Sequence, residues 1–169
     1  MKINISGKTI RITNTQQNDV DAIVQIEKAN SAYIGQNDHA HHNALLTDGN
    51  CLHLCIKTVE DDRLVGHILL FGVENTNKVL EFKRIAISEK GKGFGREAVA
   101  LVKKLCFEQL RFHRLWLDVF DDNKRAIKLY ESEGFVQEGL LRENIKTGTG
   151  YRSLRVYSIL ENEYLKKIE

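Results

Sequence analysis

Short alternating runs of apolar and polar residues, punctuated by stretches with a period near four, fill most of the chain. Lys8–Thr13 alternates and predicts a strand. Within Asn18–Ala29 the apolar residues Val20, Ile23, Val24 and Ile26 fall close to helical spacing, with Asn18 as the candidate N-cap. The next stretch, Ser31–Asn50, is polar and irregular and carries His39, His41 and His42; at most a short helix is expected there. Three strand-like runs follow, Cys51–Val59, Arg63–Val73 and Lys78–Ile87. Their breaks, Glu60–Asp62 and Glu74–Asn77, are short and polar, as hairpin turns require. The pattern then changes to a helical stripe of Ala98, Val99, Leu101, Val102, Leu105, Cys106 and Leu110. Arg114–Phe120 predicts a strand, and Asn123–Glu133 a second helix with Gly134 where a C-cap glycine belongs. Phe135–Arg142 and Tyr151–Leu160 predict two more strands about a turn at Lys146–Gly150, and a short helix is expected over 161–168.

This order predicts an α/β (α+β) fold, a mixed and mostly antiparallel sheet of about seven strands with helices on its faces. The strand–helix–strand unit from Lys78 to Phe120 should make its two strands parallel neighbours. A length of 169 residues suits one domain with its own core, so 1–169 reads as a single unit. The net charge of +2 is too small to argue for nucleic acid or an anionic membrane as the main partner. No apolar run approaches the ~20 residues of a membrane helix, and the first residues lack the apolar core of a signal peptide. Three cysteines make an odd count, which predicts a reducing, cytoplasmic setting rather than a disulfide framework.

The most informative stretch is Ile85-Ala86-Ile87-Ser88-Glu89-Lys90-Gly91-Lys92-Gly93-Phe94-Gly95-Arg96. A strand ends, a glycine-rich turn follows and a long helix begins. The first amides of a helix have no intrahelical acceptor, and with the helix dipole they form an anion site. Glycines let main chain approach a phosphate closely, and Lys90, Lys92 and Arg96 add positive charge. A plain strand-to-helix turn with solvated lysines would carry the same glycines. A Walker A loop needs Ser or Thr after Gly-Lys, but Gly93 follows Lys92. A dinucleotide fingerprint needs glycine where Arg96 stands, and too few strands remain for a doubly wound sheet.

The spacing Lys90-x-x-Gly93-x-Gly95 resembles the acyl-CoA loop of the GNAT superfamily of N-acetyltransferases, usually Arg/Gln-x-x-Gly-x-Gly/Ala. Lys90 departs from Arg/Gln but keeps length and polarity. Downstream, Asn123-x-x-Ala126-x-x-x-Tyr130-Glu131-x-x-Gly134-Phe135 resembles the second signature of the same superfamily. Two signatures in the right order, one helix and one strand apart, are far more specific than either. The C-terminal part, Glu138–Arg142 and Gly150-Tyr151-Arg152, is similar to the branch holding ribosomal-protein N-terminal acetyltransferases and bacterial spermidine acetyltransferases.

The resemblance implies acetyl-CoA as acetyl donor, no metal, and a primary amine as acceptor: a protein N-terminus, a small amine or a polyamine. It also implies a splayed parallel strand pair, with the pantetheine arm on the backbone of Ile85, Ala86 and Ile87. The pyrophosphate would sit on the amides of Lys90, Gly91, Lys92, Gly93, Phe94, Gly95 and Arg96. By the same resemblance, Tyr130 donates a proton to the departing thiolate, Asn123 contacts the pantetheine or a water, and Glu81 is the candidate base, directly or through water. A homodimer is the family-based expectation. A core tyrosine, a simple helix cap and an exposed strand glutamate are the plain structural alternatives for Tyr130, Asn123 and Glu81. An acyl-CoA-binding sensor without turnover is the rival function. Cys51, His53 and Cys55 share a strand face near the histidine segment, but their spacing fits buried core residues better than zinc ligands.

Overall fold

The computed structural model describes residues 1–166, so the last part of the predicted terminal helix, from 167 on, lies outside the described residues. Its order is β1 (Asn4–Ser6), β2 (Ile10–Asn14), a 3-10 turn (Gln17–Asp19), α1 (Val20–Ala29), α2 (His39–Leu45), β3 (Cys51–Thr58), β4 (Leu64–Phe71), β5 (Val79–Ile87), α3 (Phe94–Lys104), β6 (Arg114–Phe120), α4 (Lys124–Ser132), β7 (Val136–Thr147), β8 (Gly150–Leu160) and α5 (Glu161–Leu165). The strands form one sheet of eight in the order β1-β2-β3-β4-β5-β6-β8-β7. Every neighbouring pair is antiparallel except β5 and β6. The mixed sheet and its single parallel pair are those that the order of elements predicts. The eighth strand is β1, three residues long and too short to show a period.

Asn18 does not cap α1. A 3-10 turn precedes the helix, Asp19 stands at its N-cap position, and the Asp19 carboxylate accepts from the Gln16 amide at 2.9 Å. The histidine segment does form a helix, because Asp38 caps it by accepting from His41 N at 2.8 Å. The long helix runs on past Lys104 as a wider turn over Leu105–Gln109, where Leu110 N donates to Leu105 O at 2.9 Å. Gly134 follows α4 with φ +94, as a C-cap glycine should.

The main core lies between the sheet and helices α3 and α4. It contains Leu80 and Phe82 of β5, Leu115, Leu117 and Val119 of β6, Val99 and Val102 of α3, and Ile127 and Tyr130 of α4. A smaller group of Leu45, Cys51 and Leu69 fills the opposite face beside α2. Only Val79–Glu81 pairs with Arg114–Trp116 across the parallel junction. Beyond Glu81 the two strands part, and the edge of β5 that faces β6 carries no ladder over Phe82–Ile87. An unpaired strand edge inside a domain holds free amides and carbonyls that must find another partner.

Candidate active site

A cleft of about 1040 Å³ opens where β5 and β6 part. Its floor is Phe82, Ile85, Ile87, Val119 and Leu154. The glycine turn and the first residues of α3 and α4 form one end, and Tyr33, Ile34 and Gly35 of the loop after α1 roof the other. The turn is held open by its own backbone. Gly91 and Gly93 have φ of +85 and +82, which side chains rarely tolerate, and a Cβ at either would meet nothing within 4 Å. Gly93 is the N-cap of α3, so the free amides of that helix face a space that no side chain fills.

Of the residues expected at an acyl-CoA site, Ile85, Ile87, Lys90, Gly91, Gly93, Phe94, Gly95, Arg96 and Asn123 line the cleft, whereas Ala86 and Lys92 do not. Lys92 pairs with Glu89 at 2.5 Å, and Arg96 with Glu133 at 2.6 Å. Lys90 lies over the Tyr33 ring at 5.4 Å. The Ile87 carbonyl accepts from Asn30 Nδ2 at 3.3 Å. Seven lysine and arginine side chains line the cleft against two carboxylates, an excess that suits a ligand bearing phosphates.

Tyr130 is buried on α4, edge-on to Phe82 and Phe135 with centroids at 6.4 and 5.7 Å, and it lines the cleft. Burial, and then the charge of Asp118, push its phenol well above the usual range. The hydroxyl therefore stays protonated at neutral pH. Asn123 caps α4, its Oδ1 accepting from Ala126 N at 3.2 Å, which leaves its amide hydrogens for the cleft. Glu81 is outside the cleft lining, and Lys83 Nζ holds its carboxylate at 3.1 Å. Sequence reasoning overlooked Asp118, which the parting of β6 from β5 exposes in the cleft. Its only local signal was alternation within Leu115–Val119.

Behind the roof lies a second polar group. Glu27 and His42 are fully buried, as is His67, and Arg84 Nη1 donates to Glu27 Oε1 at 2.7 Å. The Asn37 amide donates to Glu27 Oε2 at 2.7 Å, which ties the roofing loop to α1. His67 Nε2 stands 3.2 Å from Glu27, and His42 Nδ1 is 2.8 Å from His53 Nε2. Burial alone would raise the Glu27 carboxyl; the facing His42 and His67, the Asn37 amide and the Arg84 charge outweigh it and hold it far below the carboxylate range. Burial pushes His53 down to about 3 and lowers His67 as well. Cys51 and Cys55 are free, buried and pushed up to about 12, first by burial, so they are core thiols rather than nucleophiles.

Residues 20–135 match the acetyltransferase (GNAT) family. The chain belongs to that family. Among curated relatives, this GNAT chain is similar to the spermidine N(1)-acetyltransferase of Vibrio cholerae serotype O1, at 33% identity over 114 residues. The match spans 66% of this chain and about two thirds (66%) of that relative's length. Among solved structures, a chimera of the spermidine N-acetyltransferase SpeG from Vibrio cholerae and hSSAT superposes with a TM-score of 0.85 at 24% identity, over 94% of this chain and 99% of that one. A dodecameric spermidine N-acetyltransferase from Vibrio cholerae superposes with a TM-score of 0.81 at 23% identity, covering 95% of this chain and 98% of that one. The GNAT fold accounts for the parted strands and for the two signatures on either side of them.

Proposed function

We propose that this domain transfers an acetyl group from acetyl-CoA to an amine by direct attack in a ternary complex. One observation carries the reading: the glycine turn, the unpaired edge of β5 and the Tyr130 side chain open into one cleft. The amides between Lys90 and Arg96 would bind the diphosphate, and the β5 edge at Ile85–Ile87 the amide-rich arm. An ammonium has no lone pair, so the acceptor must lose a proton before it attacks. Tyr130, buried and protonated, gives its proton to the thiolate as the carbon–sulfur bond breaks. Glu81 acts as base only through water, because its carboxylate lies outside the cleft lining and is held by Lys83. Asn123 orients the arm or a water with its free amide hydrogens.

The acceptor panel includes spermidine, since a Vibrio cholerae relative is named for it, as well as N-terminal peptides and small amines. Mass spectrometry of products should find transfer to at least one amine. Binding of acetyl-CoA without transfer to any amine would make the domain an acyl-CoA sensor instead. We also propose a second copy of this chain as partner, because Leu140 and Tyr151 are exposed on one face of the β7–β8 hairpin and Val136 and Leu141 on the other. Analytical ultracentrifugation should show self-association that Leu140→Lys weakens; a wild-type monomer at micromolar concentration would remove that part.

No helix among the described residues is long and apolar enough to cross a membrane.

A further inference from the structure

The cleft holds two carboxylates of different standing. Glu89 is occupied by Arg63 and by Lys92. The Asp118 carboxylate makes no hydrogen bond or ion pair with any described side chain, its backbone being taken up in the β6–β8 ladder. It sits on β6 just past the last β5–β6 pair, Glu81–Trp116. Its flanks Leu117 and Val119 point into the core, so Asp118 faces away from α3 and α4, toward the side where Arg84 lies. It is half-buried, and its exposed part lines the open cleft.

That hydration is lost when ligands fill the cleft, and a desolvated carboxylate then needs a cation. The facing strand β5 offers none. Arg84 is committed to Glu27 at 2.7 Å and Lys83 to Glu81 at 3.1 Å. A coenzyme that brings phosphates brings no cation either. The acceptor brings a positive charge with it.

We infer that Asp118 docks the reacting ammonium of the acceptor, and that the acceptor side is built for an amine with no second positive charge. This rests on the cleft being an acetyl-transfer site. A polycation would find one free carboxylate in a cleft that seven lysine and arginine side chains already line. Each further positive charge would meet repulsion rather than a partner.

Docking is measured without turnover, by calorimetric titration of amines into the full chain saturated with coenzyme A. The probes are n-butylamine, a peptide amide with a free N-terminus and no charged side chain, and spermidine. The best singly charged amine should bind at least as tightly as spermidine, and Asp118→Asn should weaken it by roughly tenfold or more (~1.4 kcal/mol). Acetyl-CoA affinity should not change, and Asp118→Glu should restore part of the amine affinity. A merely structural role would lower acetyl-CoA affinity and thermal stability together instead. The inference falls if Asp118→Asn leaves amine affinity within twofold, if no singly charged amine docks, or if spermidine docks tenfold more tightly than all of them. Amine docking that depends on Asp118 but leads to no acetylation would sink the transferase reading and leave the inference standing.

Discussion

Glu27 and Asp118 are both carboxylates within the fold, and the chain treats them in opposite ways. Glu27 is sealed, and Arg84, the Asn37 amide, His42 and His67 all face it. Asp118 is left facing an open cleft. A charge that the protein neutralises internally supports the folded state, because removing its partner strands the other charge. A charge left unmatched beside a ligand site is free to act on what enters. The two regions should therefore separate cleanly in experiment, the sealed one moving stability and the open one moving binding and rate.

The sharpest test lies on the open side. Tyr130→Phe should slow acetyl transfer by ~10²–10⁴-fold, the span expected of general acid catalysis, while acetyl-CoA affinity and thermal stability hold. A loss of less than threefold in steady-state kcat would remove the tyrosine from the chemistry. On the sealed side, Glu27→Ala should cost about 3–5 kcal/mol of stability, since Arg84 keeps its charge without a partner. That corresponds to a melting temperature lower by about 6–20 °C. An unchanged melting curve would show that the buried group is not a stability element. Gly93→Val should weaken acetyl-CoA by roughly 10–100-fold, equivalent to one or two lost charge-assisted amide bonds. A side chain there meets open space but an unfavourable φ of +82, so circular dichroism should report the fold kept with some loss of thermal stability. Equal affinity by calorimetry would empty the turn of its phosphate role.

The gentlest test is pH. His53 is held down to about 3 and His67 is also lowered, so in acid the unfolded chain binds protons that the folded chain refuses. This contribution is complete above the ordinary histidine value of 6.5 and fades as pH falls toward about 3. Glu27 adds to the loss below its ordinary value of 4.5, because its folded-state value is depressed. Urea midpoints should drop between pH 7.5 and pH 5 and again below about 4.5, the second drop being absent in Glu27→Ala. Identical midpoints would mean that the histidines are hydrated in the folded state.

The legible parts of this molecule are those whose physics is local. The glycine turn announces itself because positive φ, a missing Cβ and a helix start are adjacent in the chain. The spacing of Asn123, Tyr130 and Gly134 is legible for the same reason, since a cap, an inward face and a C-cap occupy one helix. Asn18 misled because a 3-10 turn and an α-helix start with the same residue types. Glu81 looked like a base from its strand, yet its exposure to the cleft depended on where β5 and β6 part.

By itself, then, the sequence determined the order of elements, the single parallel junction, the acyl-CoA signatures and the placement of Tyr130 on an inward helix face. Only the tertiary structure decided which charges are satisfied. Glu27 meets Arg84 across 57 positions and His42 meets His53 across 11, while the Asp118 carboxylate has no partner among the described residues. The physical reason is range: turns and helical faces follow from neighbours within a few residues, whereas the pairing of a charge depends on which distant strands the sheet brings side by side.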